Sequence, residues 1–594
     1  MKLIFLLIFV FFSFKSISAN QIEVFELHET KSLDQLVLDK INGELENNNL
    51  EENLVTPNEN SSNNEEQIEE SINNQEEVSI QDIENNQELF FESLSIKEIK
   101  EFLKYSNNIK SDVIKEEYFR FLLNLKLDLD LKKNREIFFT LVDYFYNIGE
   151  ISHAYNLINS YDLSNDENIA YYEFVEINYL LATYQLENLC KFKKNKTNDL
   201  ALKNKLFQKV EIFCLLLENK FSEADLFNAL LIEEENNIDE NFQQLYNLLI
   251  EEDLNTADSK IDFKLSDNQD LIYLYSAMSR IAEIPIDAEF LKIDNINLSI
   301  PIILNKSTSM DLRIKAANHA YMNKLITVDS LAALYQSVDF DNNQLENYNK
   351  TLKELNKNVE MSMALYFQYI NIQIFPSERL NAVINFWNYA KENNLSNIAY
   401  SLTLKIIDSI DINSANAEYA AEIATSYILN NYYEKASMWI DHYEKNIGVD
   451  SKITNTKILL SLNSASEYDI IVKNIDENLL NSLDLKNKKN NELIFILHNI
   501  LDENKNFNYK IDFQNIYDNR LLPSVFLNQI LQNAITDEKY EEFLVYSVIS
   551  LNGKNWLELH PQHLKLILKG YLFYNEGSLI KNLILEVIQN YKIL

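Results

Sequence analysis

Two thiols, Cys190 and Cys214, are the only cysteines of the 594-residue chain, and an even count in an exported protein points to a disulfide. The midpoint of the pair is residue 202, inside "KNKTNDLALK", a turn-like stretch between two apolar runs. If the flanking helices run antiparallel about that turn, the two sulfurs stand at similar heights, as the Cα separation of a disulfide requires. Closing a loop of this length stabilises a fold by about 3 kcal/mol in the chain-entropy treatment. The alternatives are two buried free thiols, or a redox or metal site.

Other chemistry is scarce. The seven histidines are scattered, and only His560 and His563, in "LELHPQHLKL", are neighbours. Three residues apart, they can share a helical face and bind zinc if a third ligand approaches. The plainer reading is a helix start at Pro561 with two incidental polar residues. Gly43, Gly149, Gly448, Gly553, Gly570 and Gly577 are never closer than seven residues. That spacing excludes a dinucleotide fingerprint, a phosphate loop and a G-x-S-x-G nucleophile elbow. With 91 acidic residues, paired carboxylates on a helix face carry no information. No catalytic, cofactor-binding or metal-binding residue is assigned. The aromatic stretches "VDYFYNIG" and "YDLSNDENIAYYEFVEINYLLATY" can line a groove for sugars or peptides. The commoner use of Tyr and Phe in an Ala-poor chain is to fill the space between helices.

The elements that must position these residues are helices. No proline occurs between Pro57 and Pro285, and the whole chain has six glycines, too few turn residues for a β or α/β domain of this size. From Phe90 onward, apolar runs alternate with short Asn, Asp, Lys and Ser connections, the pattern of consecutive antiparallel helices. Pro285 and Pro301 interrupt it. The expected layout is a helical region over 89–282, a Pro-containing connection at 283–310, a central helical region over 311–482 and a C-terminal one over 483–594. The last boundary is marked by "SLDLKNKKNNEL".

Ahead of this body, "MKLIFLLIFVFFSFKSISAN" has the basic start, apolar run and small residues of a secretory signal over 1–19, cleaved after Ala19. The apolar run is too short for a membrane span, and no span is expected in the mature chain. Residues 20–40 include "IEVFEL", which alternates as a short strand or docking motif does. Residues 41–88, built mostly of Asn, Glu, Gln and Ser, read as a disordered acidic linker. The formal charge of −38 argues against nucleic acid as a partner. Together these features place the protein in a bacterial periplasm. The triplets at Asn60, Asn195, Asn297, Asn305, Asn349 and Asn394 fit glycosylation sequons but arise readily in an Asn-rich chain.

Two hairpins carry a family resemblance. In "AEIATSYILNNYYEKASMWIDHYE", residues 421–444, Ile423 and Ala424 are followed by Tyr427, then by Ala436 and Ile440. In the second, Phe138, Leu141 and Phe145 lead through Gly149 to Ala154 and Ile158. This resembles the tetratricopeptide repeat, where small residues let paired helices approach and an aromatic fills the groove. The leading Trp and terminal Pro of that signature are absent, and the two units are not a clean multiple of 34 apart. In the same pattern Cys190, nine residues after Leu181, occupies the place of the packed alanine. The resemblance implies an all-α, TPR-like, right-handed α-solenoid of antiparallel helical hairpins that binds other envelope proteins without catalysis, with Tyr432, Tyr433 and Glu434 as contacts. The layout is also similar to secreted helical proteins of alphaproteobacteria, which implies no activity. The alternative is a peptidoglycan-associated protein resembling the superhelical part of lytic transglycosylases. Its last hundred residues lack the Gly-rich, Glu-Ser-containing segments of their catalytic domain.

Overall fold

Side-chain caps set where many helices begin. Ser95 accepts the Glu98 N–H at 3.3 Å, and the Glu98 carboxylate accepts the Ser95 N–H at 2.8 Å, a reciprocal box that starts the first long helix. Ser111, Thr327, Asn358 and Ser524 each satisfy a first-turn N–H of a later helix. The computed structural model describes residues 90–591 without 92, 196–204, 235–237, 251–260, 266–268, 356–357, 465–491, 494, 498–499, 501–518 and 575–577. The signal at 1–19, the strand or docking motif within 20–40, the linker at 41–88, the turn around 202 and most of the 482–492 boundary lie outside the described residues. Within them the chain is all-α and has no strand.

The chain separates into two compact units, one formed by Met310–Asp411 and one whose described parts lie in 90–309 and 412–591. The larger unit begins with α1 (Ile96–Ser106), α2 (Asp112–Leu123), α3 (Lys132–Asn147), α4 (Ile151–Asn159), α5 (Ile169–Ala182) and α6 (Leu186–Asn195). It continues with α7 (Lys205–Leu217), α8 (Phe221–Glu234), α9 (Glu240–Ile250), α10 (Ile272–Ile281), α11 (Ala288–Ile293) and α12 (Ser299–Leu304). The smaller unit holds α13 (Met310–Met322), α14 (Val328–Gln336), α15 (Asn342–Glu346), α16 (Tyr348–Glu354), α17 (Val359–Ile372), α18 (Pro376–Glu392) and α19 (Ser396–Asp408). The chain then returns to the larger unit with α20 (Ala420–Leu429), α21 (Tyr433–Asn446), α22 (Ser451–Ser464), α23 (Val525–Thr536), α24 (Tyr540–Leu551), α25 (Pro561–Tyr574) and α26 (Ser578–Asn590). The Pro-containing connection is itself partly helical: Pro301 lies in the first turn of α12, where a missing N–H costs nothing.

One turn recurs, and it explains how so few glycines suffice. Two residues beyond the ends of α3, α5, α7, α10, α13, α18, α20 and α23, the backbone is left-handed at Gly149, Tyr184, Asn219, Glu283, Lys324, Asn394, Asn431 and Glu538. The next N–H reaches the carbonyl five residues back, as from Glu150 to Phe145 at 2.9 Å and from Gln185 to Leu180 at 2.8 Å. This is the Schellman closure, which satisfies orphan helix carbonyls and redirects the chain. Glycine occupies it once. Gly149, Tyr184 and Asn219 follow at intervals of 35 residues.

In the larger unit, contacts are not confined to sequence neighbours. Helix α1 packs on α24, and α2 packs on both α24 and α26. Phe90 and Phe102 bring their rings to 6.1 and 5.9 Å from that of Tyr546. Glu586 Oε2 accepts from Ser111 Oγ and from the Val113 N–H, both at 3.1 Å, while its Oε1 accepts from Trp556 Nε1 at 2.7 Å. Burial nonetheless holds this carboxyl above its usual range, outweighing the three donors. Tyr540 donates to Glu117 at 2.5 Å. An open array has only neighbour-to-neighbour contacts. Here the first helices also find partners in the last.

Candidate functional site

The expected disulfide is present: Cys190 of α6 and Cys214 of α7 are bonded, with Cα atoms 5.6 Å apart. The ten residues assigned to repeat packing are all buried: Phe138, Leu141, Phe145, Ala154, Ile158, Ile423, Ala424, Tyr427, Ala436 and Ile440. They build the α3–α4 and α20–α21 hairpins. Tyr432 is exposed, with the Lys435 ammonium 5.2 Å from its ring centroid. His560 and His563 sit in different surroundings. His560 is half-buried, whereas His563 is buried, contacts Ser550 Oγ through Nε2 at 2.9 Å and is pushed by burial down to about 4. No group of three His, Cys, Asp or Glu able to hold a metal occurs among the described residues. Lys209 and Asp239 form a fully enclosed ion pair at 2.8 Å, with Tyr275 donating to the same carboxylate at 2.6 Å; this is core, out of reach of a substrate.

The two aromatic stretches singled out in the sequence face each other. On α3, Asp143 and Tyr146 are one turn apart; on α5, Tyr171, Phe174 and Asn178 form a stripe at helical spacing. Tyr171 donates to Asp143 Oδ1 at 2.9 Å, and the Tyr146 ring lies 6.3 Å from Tyr171 and 5.3 Å from Phe174. Asn178 Nδ2 donates to the Tyr146 hydroxyl at 3.1 Å and to the Phe174 carbonyl at 3.0 Å.

A third wall comes from α10, which packs on α5, and from the loop after α11. Tyr273 donates to Asp294 Oδ2 at 2.5 Å. Asp294 Oδ1 accepts the N–H groups of Ile296 and Asn297, and Asn297 Nδ2 bridges Asp294 Oδ2 and the Gly149 carbonyl, each at 2.7 Å. The loop is thereby tied to the turn that ends α3. Asp270 stands exposed just before α10.

The electrostatics follow from this crowding. Burial, followed by the charges of Asp270 and Asp294, raises the Tyr146 phenol. Burial, then the bond to Asp143, raises Tyr171; burial, then Asp294, raises Tyr273. All three phenols stay protonated at neutral pH; Tyr171 and Tyr273 donate to carboxylates, and Tyr146 accepts from Asn178. No Lys or Arg among the described residues forms an ion pair with Asp143, Asp270 or Asp294; Arg280 of α10 instead lies 4.1 Å from the Tyr184 ring. Asn178 is fully buried, and its Oδ1 has no hydrogen-bond partner. The buried hydroxyls of Ser276 and Ser279 on α10 are likewise unpaired.

The cluster therefore offers partly exposed aromatic rings, carboxylates without ion-pair partners and a buried, unpaired amide oxygen. Sequence reasoning reached Tyr146, Tyr171 and Phe174 as members of aromatic stretches. It missed Asp270, Tyr273, Asp294 and Asn297, which arrive from more than ninety residues further along.

No protein-family model matches the chain, and neither a curated protein nor a solved structure does.

Proposed function

We propose that this chain is a non-enzymatic scaffold or adaptor of the bacterial cell envelope, built from tetratricopeptide-like hairpins, and that the tyrosine–aspartate cluster is one of its partner-binding surfaces. The observation that carries the reading is the cluster itself: three carboxylates with no ion-pair partner beside partly exposed aromatic rings, with phenols that remain protonated. Repeated hairpin turns 35 residues apart support the repeat assignment. The disulfide supports an oxidising compartment. An outward apolar stripe on α8, Leu226, Phe227 and Leu230, adds a second surface suited to protein contact.

The test is in-cell crosslinking of the tagged full chain followed by affinity capture and mass spectrometry, with a D143N/D270N variant alongside. Recovery of one or two envelope proteins in stoichiometric amounts, lost in the variant while its thermal unfolding is unchanged, is the expected result. Recovery of peptidoglycan fragments, or wall-cleaving activity in the pure protein, would overturn the adaptor reading.

A further inference from the structure

We infer that the tyrosine–aspartate cluster of α3, α5 and α10 binds an organic ammonium group, either the side chain of a lysine presented by a peptide or a free aliphatic diamine. The inference deepens the partner-binding reading of the same site and rests on its geometry.

Charge is the first consideration. Asp143 spends Oδ1 on Tyr171, leaving Oδ2 without a protein hydrogen bond, and Asp270 is exposed without an ion-pair partner. An anionic or acceptor-only ligand meets repulsion here, and a neutral one leaves the carboxylates uncompensated. The rings of Tyr146, Tyr171 and Phe174 lie within 5.3 to 6.3 Å of one another, partly exposed and beside these charges, and aromatic rings so placed attract a cation and the methylenes attached to it.

The kind of cation follows from the acceptors. A guanidinium is favoured by a carboxylate open on both oxygens for a bidentate fork. Asp294 has no such face: Oδ2 accepts from Tyr273 and Asn297, and Oδ1 from two backbone N–H groups. Asp143 has only one oxygen open, so neither carboxylate bonded into the cluster takes a fork; Asp270, exposed before α10, is the one that could. Single acceptors at separate points suit the three rotatable donors of an ammonium. A compact metal ion is disfavoured because the carboxylates do not gather into a group of three able to hold one.

An independent feature also points to a ligand. Asn178 is fully buried, its amide is held at the base of the cluster by the Tyr146 hydroxyl, and its Oδ1 is unpaired. A buried acceptor without a partner is costly, and a donor brought in by a ligand or its water relieves that cost.

The experiment is isothermal titration of the full chain with 1,5-diaminopentane, with a short peptide capped at both ends whose only charged residue is one lysine, and with 1-pentanol as the uncharged control. Both amines are expected to bind saturably, to weaken with added salt, and to lose tenfold or more in D143N/D270N. The amide introduced by D143N still offers the Tyr171 hydroxyl an acceptor, so the fold survives the loss of charge. A second variant, Tyr146→Phe, keeps the ring and is expected to lose only a few-fold. Tighter binding of the peptide identifies a protein source, and tighter binding of the diamine a small-molecule source. Equal binding of 1-pentanol, amine binding unchanged in D143N/D270N, or no amine binding at millimolar concentration would each overturn the inference. If no amine binds but protein capture still depends on Asp143 and Asp270, the ammonium assignment falls and the adaptor reading stands. Amine binding without any captured protein has the opposite meaning.

Discussion

Replacing Glu541 by Gln should make the protein more stable in mild alkali and leave it unchanged in acid. Glu541 lies in α24 with only 6% of its surface exposed, and burial, followed by the charge of Glu542, pushes its carboxyl up to about 7 from an ordinary 4.5. In the folded chain it therefore keeps a proton that the unfolded chain has already released, so folding takes up protons between these values. Stability due to this group is fully present below pH 4.5, falls as pH rises through 4.5 to 7, and is flat above. The full difference corresponds to roughly 3 kcal/mol; solvent reaching the carboxylate reduces that to about 1–2 kcal/mol. E541Q removes the burden of an ionised carboxylate and should gain that amount at about pH 8 and nothing at about pH 4.5. Other titrating groups cancel when variant and parent are compared at the same pH. The assay is amide hydrogen exchange across α24 in both proteins at both pH values, which reads local stability without assuming that two units unfold together. Equal protection of variant and parent in the alkaline sample, or a loss in both samples, would refute the reasoning.

Four further outcomes are expected. Gly570→Ala places a Cβ 2.1 Å from the buried Phe543 ring, where α24 and α25 meet, and should cost about 1–3 kcal/mol by urea denaturation. The double change C190S/C214S should cost about 3 kcal/mol, and the parent should show no reactive thiol in denaturant before reduction and two after. Asp239→Asn removes the charge that balances the enclosed Lys209 ammonium and should cost about 3–5 kcal/mol in the same urea assay. Lys324→Gly and Glu538→Gly relieve left-handed backbone and should each raise stability by up to about 1 kcal/mol, measured by thermal unfolding.

The helices were legible because their signals are local. In the α20–α21 hairpin, Ile423, Ala424 and Tyr427 repeat at helical spacing, a polar turn follows, and Ala436 and Ile440 resume the pattern; all five are buried. The cysteine pairing was legible because a disulfide between adjacent helices needs only a centred turn. Trp439 is only 3% exposed, because α21 packs against both α20 and α22. The turns were mostly invisible, since Tyr184, Glu283, Lys324 and Glu538 are not residues that advertise left-handed backbone. The cluster was half visible. Tyr146, Tyr171 and Phe174 share two short stretches, but Tyr273 lies in neither, and Asp270 and Asp294 resemble every other acid in a chain with 91 of them, so that only tertiary folding sets them apart.

The meeting of the first helices with the last has a consequence for biosynthesis. Ser111 and Val113 bond to Glu586, more than 470 residues downstream, so the larger unit cannot close its core until nearly the whole chain exists. Met310–Asp411 lies within that interval, and its contacts are local enough to form as soon as it emerges. A nascent chain would thus carry a finished inner segment while α1 and α2 wait with apolar faces uncovered, the period when such surfaces are most exposed to aggregation. A stop codon that removes α26 would leave α2 with only one of its two C-terminal partners. The C-terminal helices, made last, thus complete the packing of the first.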